Sequence, residues 1–168
     1  MKIIPYHKKY KRDQFHCGQP TLDNYILRNA TRDVDAGGCA CFVLIDDQEK
    51  VMAYYTLSME SISVEDASDE IKKQIKYPRV PIILLGRLAV DNNFKGKGFG
   101  NLLIADALKR SLHVAQTEVG STAVIADPID DSAVRFYKKY GSIQLPDSER
   151  MFLTMKKIKK AFDLSNEK

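Results

Sequence analysis

A short segment of alternating lysines and glycines is the part of the sequence best suited to chemistry, and it reads Lys95-Gly96-Lys97-Gly98-Phe99-Gly100. It follows an apolar run at 80–90 and opens a helical pattern at about 99–116. Glycines let a backbone turn its N–H groups inward, and a helix N-terminus adds partial positive charge. Because the two lysines add full charges, the segment predicts a phosphate-binding loop.

The spacing of this loop separates it from two common nucleotide-binding motifs. A Walker loop requires Ser or Thr after Gly-Lys, whereas here Gly98 is followed by Phe99. A dinucleotide fingerprint requires Gly-x-Gly-x-x-Gly in the first strand–helix unit, and Gly100 comes one residue too early for it. A glycine-rich turn without a ligand remains an alternative on these residues alone.

A second candidate for chemistry is an aromatic stripe near the C-terminus. Ala133, Phe136, Tyr137 and Tyr140 recur at helical spacing and therefore share one face of a predicted helix at 132–140. Such a stripe fits core packing. It also fits proton donation, because a tyrosine with a pKa of about 10 is protonated at neutral pH.

The elements that must position these residues alternate between helix and strand. Helical patterns cover 20–34, 65–76, 99–116 and 132–140, while strand patterns cover 39–45, 51–60, 80–90, 122–126 and 151–155. The first two strands form an antiparallel hairpin around the turn at 46–50. The order predicts an α/β fold, a mixed sheet with helices on both faces, in a single domain over 1–168 with a basic tail at about 157–168.

Composition favours a soluble cytoplasmic protein. With 44% hydrophobic and 29% charged residues, the chain reads as an ordinary globule without a signal peptide or membrane span. Cys17, Cys39 and Cys41 are odd in number and poorly spaced for a disulfide framework, so we expect them to be small buried side chains. Their spacing does not predict a metal site. Residues 71–110 hold nine basic and two acidic side chains, whereas 33–70 hold one basic and ten acidic ones. Basic blocks of this kind suit a polyanion or a solvated face equally.

Several fragments in order resemble one enzyme family. The loop resembles the pyrophosphate motif of GNAT N-acetyltransferases, with Lys95 replacing the usual Gln or Arg. The other matching fragments are Phe15-x-Cys17-Gly18 with Leu22-Asp23, Tyr54–Ser58, Leu85–Asp91, and Phe136-Tyr137 with Tyr140-Gly141. Together they resemble the GNAT toxins of bacterial toxin–antitoxin systems. Ser142 departs from the family pattern, which has Phe at that position.

The resemblance implies a GNAT fold, acetyl-CoA as the cofactor and a set of site residues. Lys95–Gly100 would bind the pyrophosphate, Leu88, Ala89 and Val90 would pair with the pantetheine arm, and Ser132 and Phe136 would complete the cofactor site. Tyr137 would be the general acid beside the sulfur. The resemblance also implies aminoacyl-tRNA as the substrate, a ribbon-helix-helix antitoxin as a partner, and a homodimer.

The sequence contains no obvious general base, since His7, His16 and His113 are scattered. An α-amine with a pKa of about 7.7–8.0 is neutral far more often at pH 7 than a lysine with a pKa of about 10.4, so a site without a base favours α-amines. Candidate RNA contacts from the basic blocks are Arg28, Arg32, Lys73, Arg79 and Arg87, the last facing either the substrate or the sheet core. Two other functions stay open: acetylation of a small amine or a protein N-terminus, and a non-catalytic CoA-binding module.

Overall fold

The computed structural model describes residues 2–166, which form a seven-stranded mixed sheet and its connecting helices. The strands are β1 (Lys2–Pro5), β2 (Ala40–Ile45), β3 (Val51–Ser63), β4 (Arg79–Val90), β5 (Ala123–Ala126), β6 (Ile143–Gln144) and β7 (Met151–Thr154). They lie in the order β1-β2-β3-β4-β5-β7-β6, and β4 and β5 are parallel. The helices are α1 (Pro20–Asn24), α2 (Ala30–Asp35), α3 (Asp69–Gln74), α4 (Phe99–Thr117), α5 (Asp131–Lys139) and α6 (Met155–Asn166). The predicted mixed sheet is confirmed.

The chain is organised as two compact units. The first comprises residues up to 58 together with 86–107, and the second comprises 59–85 together with 108 onward. Each unit has its own hydrophobic cluster. In the first, Tyr25, Ile26 and Tyr54 are almost fully buried, and in the second the same holds for Ile82 and Phe152. No helix among the described residues is long and apolar enough to cross a bilayer.

The predicted hairpin of the first unit is present, with β2 antiparallel to β3. Its turn is closed by Asp46, whose carboxylate accepts the backbone N–H groups of Gln48 and Lys50, both at 2.9 Å. Strand β1 pairs antiparallel with β2 and was not predicted from the sequence. Its four residues show no strict inside–outside alternation, so pairing with β2 determines the strand more than its own pattern does.

The predicted helix at 20–34 is present but is not uniformly α-helical. A π-helical segment, Tyr25–Asn29, separates α1 from α2. Ile26 and Ala30, one helical turn apart, are fully buried. Such π segments insert a residue into the helical repeat and often occur near functional sites. Periodicity alone did not reveal it.

Two elements of the second unit differ from the sequence prediction. The segment at 65–76 contains a 3₁₀ turn, Val64–Asp66, followed by the short helix α3. Residues 157–166 of the predicted basic tail belong to α6, which begins at Met155 directly after β7, and the last two residues of that tail lie outside the described residues. Ile158 on α6 is 1% exposed while Lys159 and Lys160 are exposed, so the helix is amphipathic. Four lysines surround Ile158 in the sequence, so the amphipathic pattern of this helix was not recognised there.

The thiols behave as the sequence predicted. Cys17 and Cys41 are buried, Cys39 is half-buried, and none of the three forms a disulfide. Burial raises the pKa of the Cys17 thiol to about 11 and that of Cys41 to about 12. A thiol with such a pKa is protonated at neutral pH and is a poor nucleophile.

Candidate active site

The predicted phosphate loop connects β4 to α4 in the first unit. After β4, a 3₁₀ turn at Asn92–Phe94 leads into residues 95–98, and α4 begins at Phe99. Gly96 has φ +75° and Gly98 has φ +81°, backbone conformations that side chains with a Cβ rarely adopt. The first N–H groups of an α-helix have no intrahelical acceptor, so this turn presents backbone donors at a helix N-terminus.

The side chains of the loop contact one another and the neighbouring backbone. Phe94 stacks on Phe99 with ring centroids 6.1 Å apart, and Phe99 is buried. Lys97 lies 5.0 Å from the centre of the Phe94 ring. Lys95 donates a hydrogen bond to the Cys17 carbonyl at 2.8 Å. The binding of an anion by the backbone N–H groups of this loop, with Lys95 and Lys97 beside them, stays a prediction.

Asp91 holds the entry of this loop in place, a role that was not predicted from the sequence. It is fully buried, and its carboxylate accepts the backbone N–H of Asn93 at 2.9 Å and that of His16 at 3.0 Å. The backbone N–H of Asn92 also donates to the His16 carbonyl, at 2.9 Å. These bonds attach the entry of the loop to the segment before α1. An acidic residue placed directly between an apolar strand and a glycine loop was the available signal.

The strand that precedes the loop carries the residues predicted to bind the pantetheine arm. The parallel register of β4 with β5 runs from Ile83 to Leu85, which pairs with the last residue of β5. Farther along β4, Ala89 is buried and its neighbours Leu88 and Val90 are half-buried. These three residues are thus part of a regular strand, and their role toward a cofactor stays a prediction.

The orientation of Arg87, which the sequence left open, is defined in the first unit. Its guanidinium carbon lies 3.8 Å from the centre of the Tyr25 ring, a close cation–π contact. Tyr25 in turn stacks on Tyr54 and forms a 3.1 Å hydrogen bond with the Cys39 thiol. Burial raises the pKa of the Tyr25 phenol. Arg87 is half-buried against this aromatic cluster rather than extended into solvent.

The predicted general acid lies on α5 in the second unit. The helix spans Asp131–Lys139, close to the predicted 132–140. The Asp130 carboxylate caps it by accepting the backbone N–H of Ala133 at 2.8 Å, and Gly141 with φ +83° follows its end. Tyr137 is 7% exposed, and its ring contacts that of Phe136 edge-on at 5.4 Å. Within residues 2–166 its hydroxyl has no hydrogen-bond partner.

Two influences keep Tyr137 protonated. Burial is the larger, and the negative charge of Asp127 is the second; both raise the pKa of the phenol. A buried, protonated phenol suits a donor of protons and not an acceptor. Of the residues predicted around it, Phe136 is half-buried and Ser132 is exposed in the first turn of α5.

The remaining candidates for RNA contact are exposed side chains divided between the two units. In the first unit, Arg28 is exposed and Arg32 forms a 3.0 Å ion pair with Asp33. In the second, Lys73 is exposed on α3, whereas Arg79 donates to the Ser61 hydroxyl and carbonyl. The charges of Arg32 and Arg79 are therefore partly engaged by neighbours.

A second feature missed from the sequence is an ion-pair network in the second unit. Arg150 makes paired hydrogen bonds to Glu60, at 2.8 and 3.2 Å, and to Asp127, at 2.7 and 3.3 Å. These residues are far apart in the sequence, and no local pattern connects them. Asp127 is also the carboxylate that acts on Tyr137.

Comparison with known proteins points to one relationship. Residues 5–141 match the model of the acetyltransferase (GNAT) family. A tRNA-acetylating toxin of Mycobacterium tuberculosis is 34% identical over 143 residues, which cover 84% of this chain and 84% of that protein.

Solved structures agree with this relationship. The structure of AtaT complexed with acetyl-methionyl-tRNAfMet has a TM-score of 0.88 at 25% identity and covers 96% of this chain and 98% of that one. The structure of AtaTR bound with AcCoA has a TM-score of 0.84 at 26% identity and covers 96% and 97%. The fold is thus that of these toxins, as the resemblance implied.

Proposed function

Because the chain belongs to the acetyltransferase (GNAT) family, we propose that it transfers the acetyl group of acetyl-CoA to the α-amino group of an aminoacyl-tRNA, and so acts as a toxin that blocks translation. The observation that carries this proposal is the 34% identity to a tRNA-acetylating toxin along 84% of the chain. The likeness to a structure that contains acetyl-methionyl-tRNAfMet supports the same substrate class.

The loop of the first unit fits the phosphates of CoA. Gly96 and Gly98 adopt left-handed conformations, and a Cβ built on either has no atom within 4 Å, so the space beside the backbone is open. Lys95, Lys97 and the N–H groups up to Gly100 would bind the pyrophosphate. The backbone of residues 88–90 would pair with the pantetheine amides as an additional strand.

Acetyl-CoA supplies an activated thioester carbonyl when bound. The chain's own contribution to the chemistry is a proton donor, since the leaving sulfur is a better leaving group when protonated. Tyr137 is protonated and has a hydroxyl without a partner among the described residues, which suits that role. Phe136 and Ser132 would contact the cofactor near the same helix.

The choice of amine follows from acid–base chemistry. With no base identified, the neutral fraction of the amine itself limits the reaction, and this fraction is far larger for an α-amine than for a lysine side chain. Aminoacyl-tRNA presents such an α-amine. Arg28 and Lys73 are exposed, and neither has an ion-pair partner among the described residues, so we propose them first as contacts for RNA phosphates. Further candidates are Arg32, Arg79 and Arg87.

The wider biology is also part of the proposal. A toxin of this type acts in the cytoplasm, is neutralised by an antitoxin that we propose to be of the ribbon-helix-helix type, and works as a homodimer. We also propose that residues 1–168 make up a single N-acetyltransferase domain. The name of the Mycobacterium tuberculosis relative supports the toxin assignment.

Expression of the protein in a bacterial host tests the proposal. We expect growth arrest and acetylated aminoacyl-tRNA in the arrested cells, with both effects lost in Tyr137→Phe. Healthy growth with abundant folded protein and unmodified aminoacyl-tRNA would contradict the toxin function. Transfer to a small amine or a protein N-terminus alone would favour a different acetyltransferase, and CoA binding without any transfer would favour a non-catalytic module.

A further inference from the structure

Arg87 is a half-buried cation on β4 that forms no hydrogen bond or ion pair with any of the residues that the structure describes. Its close contact is with the face of the Tyr25 ring, 3.8 Å from the ring centre. Arginine side chains that are withdrawn from solvent are usually paired with an acid. The nitrogens of Arg87 are not sealed off, in contrast to Nε of Arg12, which is buried without a partner. A ligand can therefore reach the N–H groups of Arg87.

The ring beneath this guanidinium is held by its neighbours. Tyr25 is 2% exposed and is the first residue of the π-helical segment. Its ring stacks on Tyr54 with centroids 5.9 Å apart, and its hydroxyl lies 3.1 Å from the Cys39 thiol. Tyr54 in turn donates to the Leu22 carbonyl at 2.7 Å. A guanidinium that rests on a fixed ring keeps its N–H groups available for an oxyanion at low cost in side-chain entropy.

The place of Arg87 along β4 indicates which anion it meets. The loop proposed for the pyrophosphate comes after the end of β4, and residues 88–90, proposed for the pantetheine arm, lie between that loop and Arg87. A strand rises about 3.3 Å per residue, so Arg87 lies roughly 10 Å along the strand from Val90. The CoA phosphates would thus lie toward the loop and the thioester toward Arg87. Because the acceptor must approach the thioester, Arg87 is placed for the acceptor substrate.

We propose that Arg87, held against the Tyr25 ring, binds a phosphate of the aminoacyl-tRNA next to its aminoacylated end. This inference rests on the proposed acetyl transfer to aminoacyl-tRNA. A phosphodiester is the anion that every aminoacyl-tRNA carries close to the reacting amine, whichever amino acid is attached. The planar guanidinium can donate two parallel hydrogen bonds to two phosphate oxygens. Arg87 is in this scheme a substrate-binding residue, and Tyr25 is a positioning residue.

Titration of aminoacyl-tRNA at several NaCl concentrations tests this contact, with CoA in place of acetyl-CoA so that no acetyl group is transferred. In Arg87→Gln we expect the Kd for aminoacyl-tRNA to rise by about 10- to 100-fold, while the Kd for CoA stays unchanged. The slope of log Kd against log NaCl concentration should become shallower by about 0.7, the share of one phosphate in a single-stranded segment. An unchanged Kd would overturn the inference, and so would a higher Kd with an unchanged slope, which indicates a neutral contact.

A conservative variant keeps the inference testable if Arg87→Gln does not fold. Arg87→Lys retains the charge but loses the planar fork. We expect its Kd for aminoacyl-tRNA to rise by about threefold to tenfold with the salt dependence of the wild type, since a single hydrogen bond replaces a pair. A Kd equal to that of the wild type, or a shallower slope, would refute the phosphate contact.

Two variants of Tyr25 test its positioning role. Tyr25→Phe keeps the ring face and should leave the Kd for aminoacyl-tRNA within about twofold, whereas Tyr25→Leu removes the face and should raise that Kd by about threefold to tenfold. Equal effects of the two substitutions would refute the role of the ring. If Tyr25→Leu does not fold, Tyr25→Phe decides, because a raised Kd in that variant would assign the effect to the hydroxyl.

The matched control is Arg12, a second half-buried arginine of the first unit that also lies over a tyrosine ring, 5.6 Å from the centre of Tyr6. Its guanidinium already donates to the carbonyls of Lys8 and Tyr10, at 3.0 and 3.4 Å. Arg12→Gln should therefore leave both Kd and slope unchanged, and losses equal to those of Arg87→Gln would overturn the inference. A wild type that acetylates no aminoacyl-tRNA refutes the proposed function, whereas an active wild type that is indifferent to Arg87→Gln refutes only the role of Arg87.

Discussion

Replacing Gly98 with alanine is the sharpest perturbation of the phosphate loop. Gly98 has φ +81°, and a Cβ built there meets no atom within 4 Å, so the substitution causes backbone strain without a steric clash. The left-handed conformation costs an L-residue about 1–2 kcal/mol. If the loop relaxes to escape that strain, its N–H groups no longer converge, and an equal loss of binding free energy weakens CoA binding by about 5–30-fold.

Calorimetric titration measures the loss of CoA affinity, and thermal unfolding measures the loss of stability that the backbone strain causes. Gly37 provides a matched control, because it has φ +71°, also has no atom within 4 Å of a built Cβ, and lies after α2, outside the loop. Gly37→Ala should lose a similar amount of stability and keep its affinity for CoA. A Gly98→Ala protein that binds CoA as tightly as the wild type would refute the assignment of this loop to the cofactor.

The other predictions concern proton donation, loop anchoring and pH. Tyr137→Phe should lower kcat by about 10²–10⁴-fold with CoA affinity unchanged, as steady-state kinetics and titration can verify; an unaffected kcat would exclude it as the general acid. Asp91→Ala removes a fully buried carboxylate that accepts two backbone N–H groups, and it should lower the free energy of unfolding in urea by about 2–4 kcal/mol. Asp46→Ala in an exposed turn should cost under about 1 kcal/mol, and equal losses would contradict this. Burial raises the pKa of Asp23, but hydrogen bonds, first from the Cys17 backbone, outweigh it and hold that pKa below the ordinary 3.8. The advantage of the wild type over Asp23→Asn in unfolding free energy should therefore shrink as the pH falls below 3.8, and an advantage unchanged between about pH 5 and the acid transition would contradict it.

The sequence predicted the elements whose residues carry their own signal. Gly96 and Gly98 were expected in a turn that requires unusual backbone angles, and both have positive φ. The stripe on α5 was predicted from helical spacing, and the helix spans Asp131–Lys139, close to the predicted 132–140. Each of these features depends on neighbours within a few residues in the chain, which is why one sequence suffices to predict them.

The features that escaped prediction depend on contacts between distant parts of the chain. Strand β1 is defined by its pairing with β2. The amphipathic character of α6 depends on the burial of Ile158 between exposed lysines. Asp91 and Arg150 matter because of partners that lie 75 and 90 positions away. No periodicity or spacing rule encodes such pairs. The position of Asp91 before a glycine loop was a signal in the sequence, but its partners, like those of Arg150, are identified only in the folded structure.

Acetyl transfer to charged tRNA is the central claim, and a single reaction tests it most directly. Purified protein is incubated with acetyl-CoA labelled in the acetyl group and with total aminoacyl-tRNA, and the aminoacyl ends are released and analysed by mass spectrometry. We predict label on the α-amino group of one or more amino acids, absent with Tyr137→Phe. Unlabelled aminoacyl ends from a folded protein that binds CoA would contradict the claim.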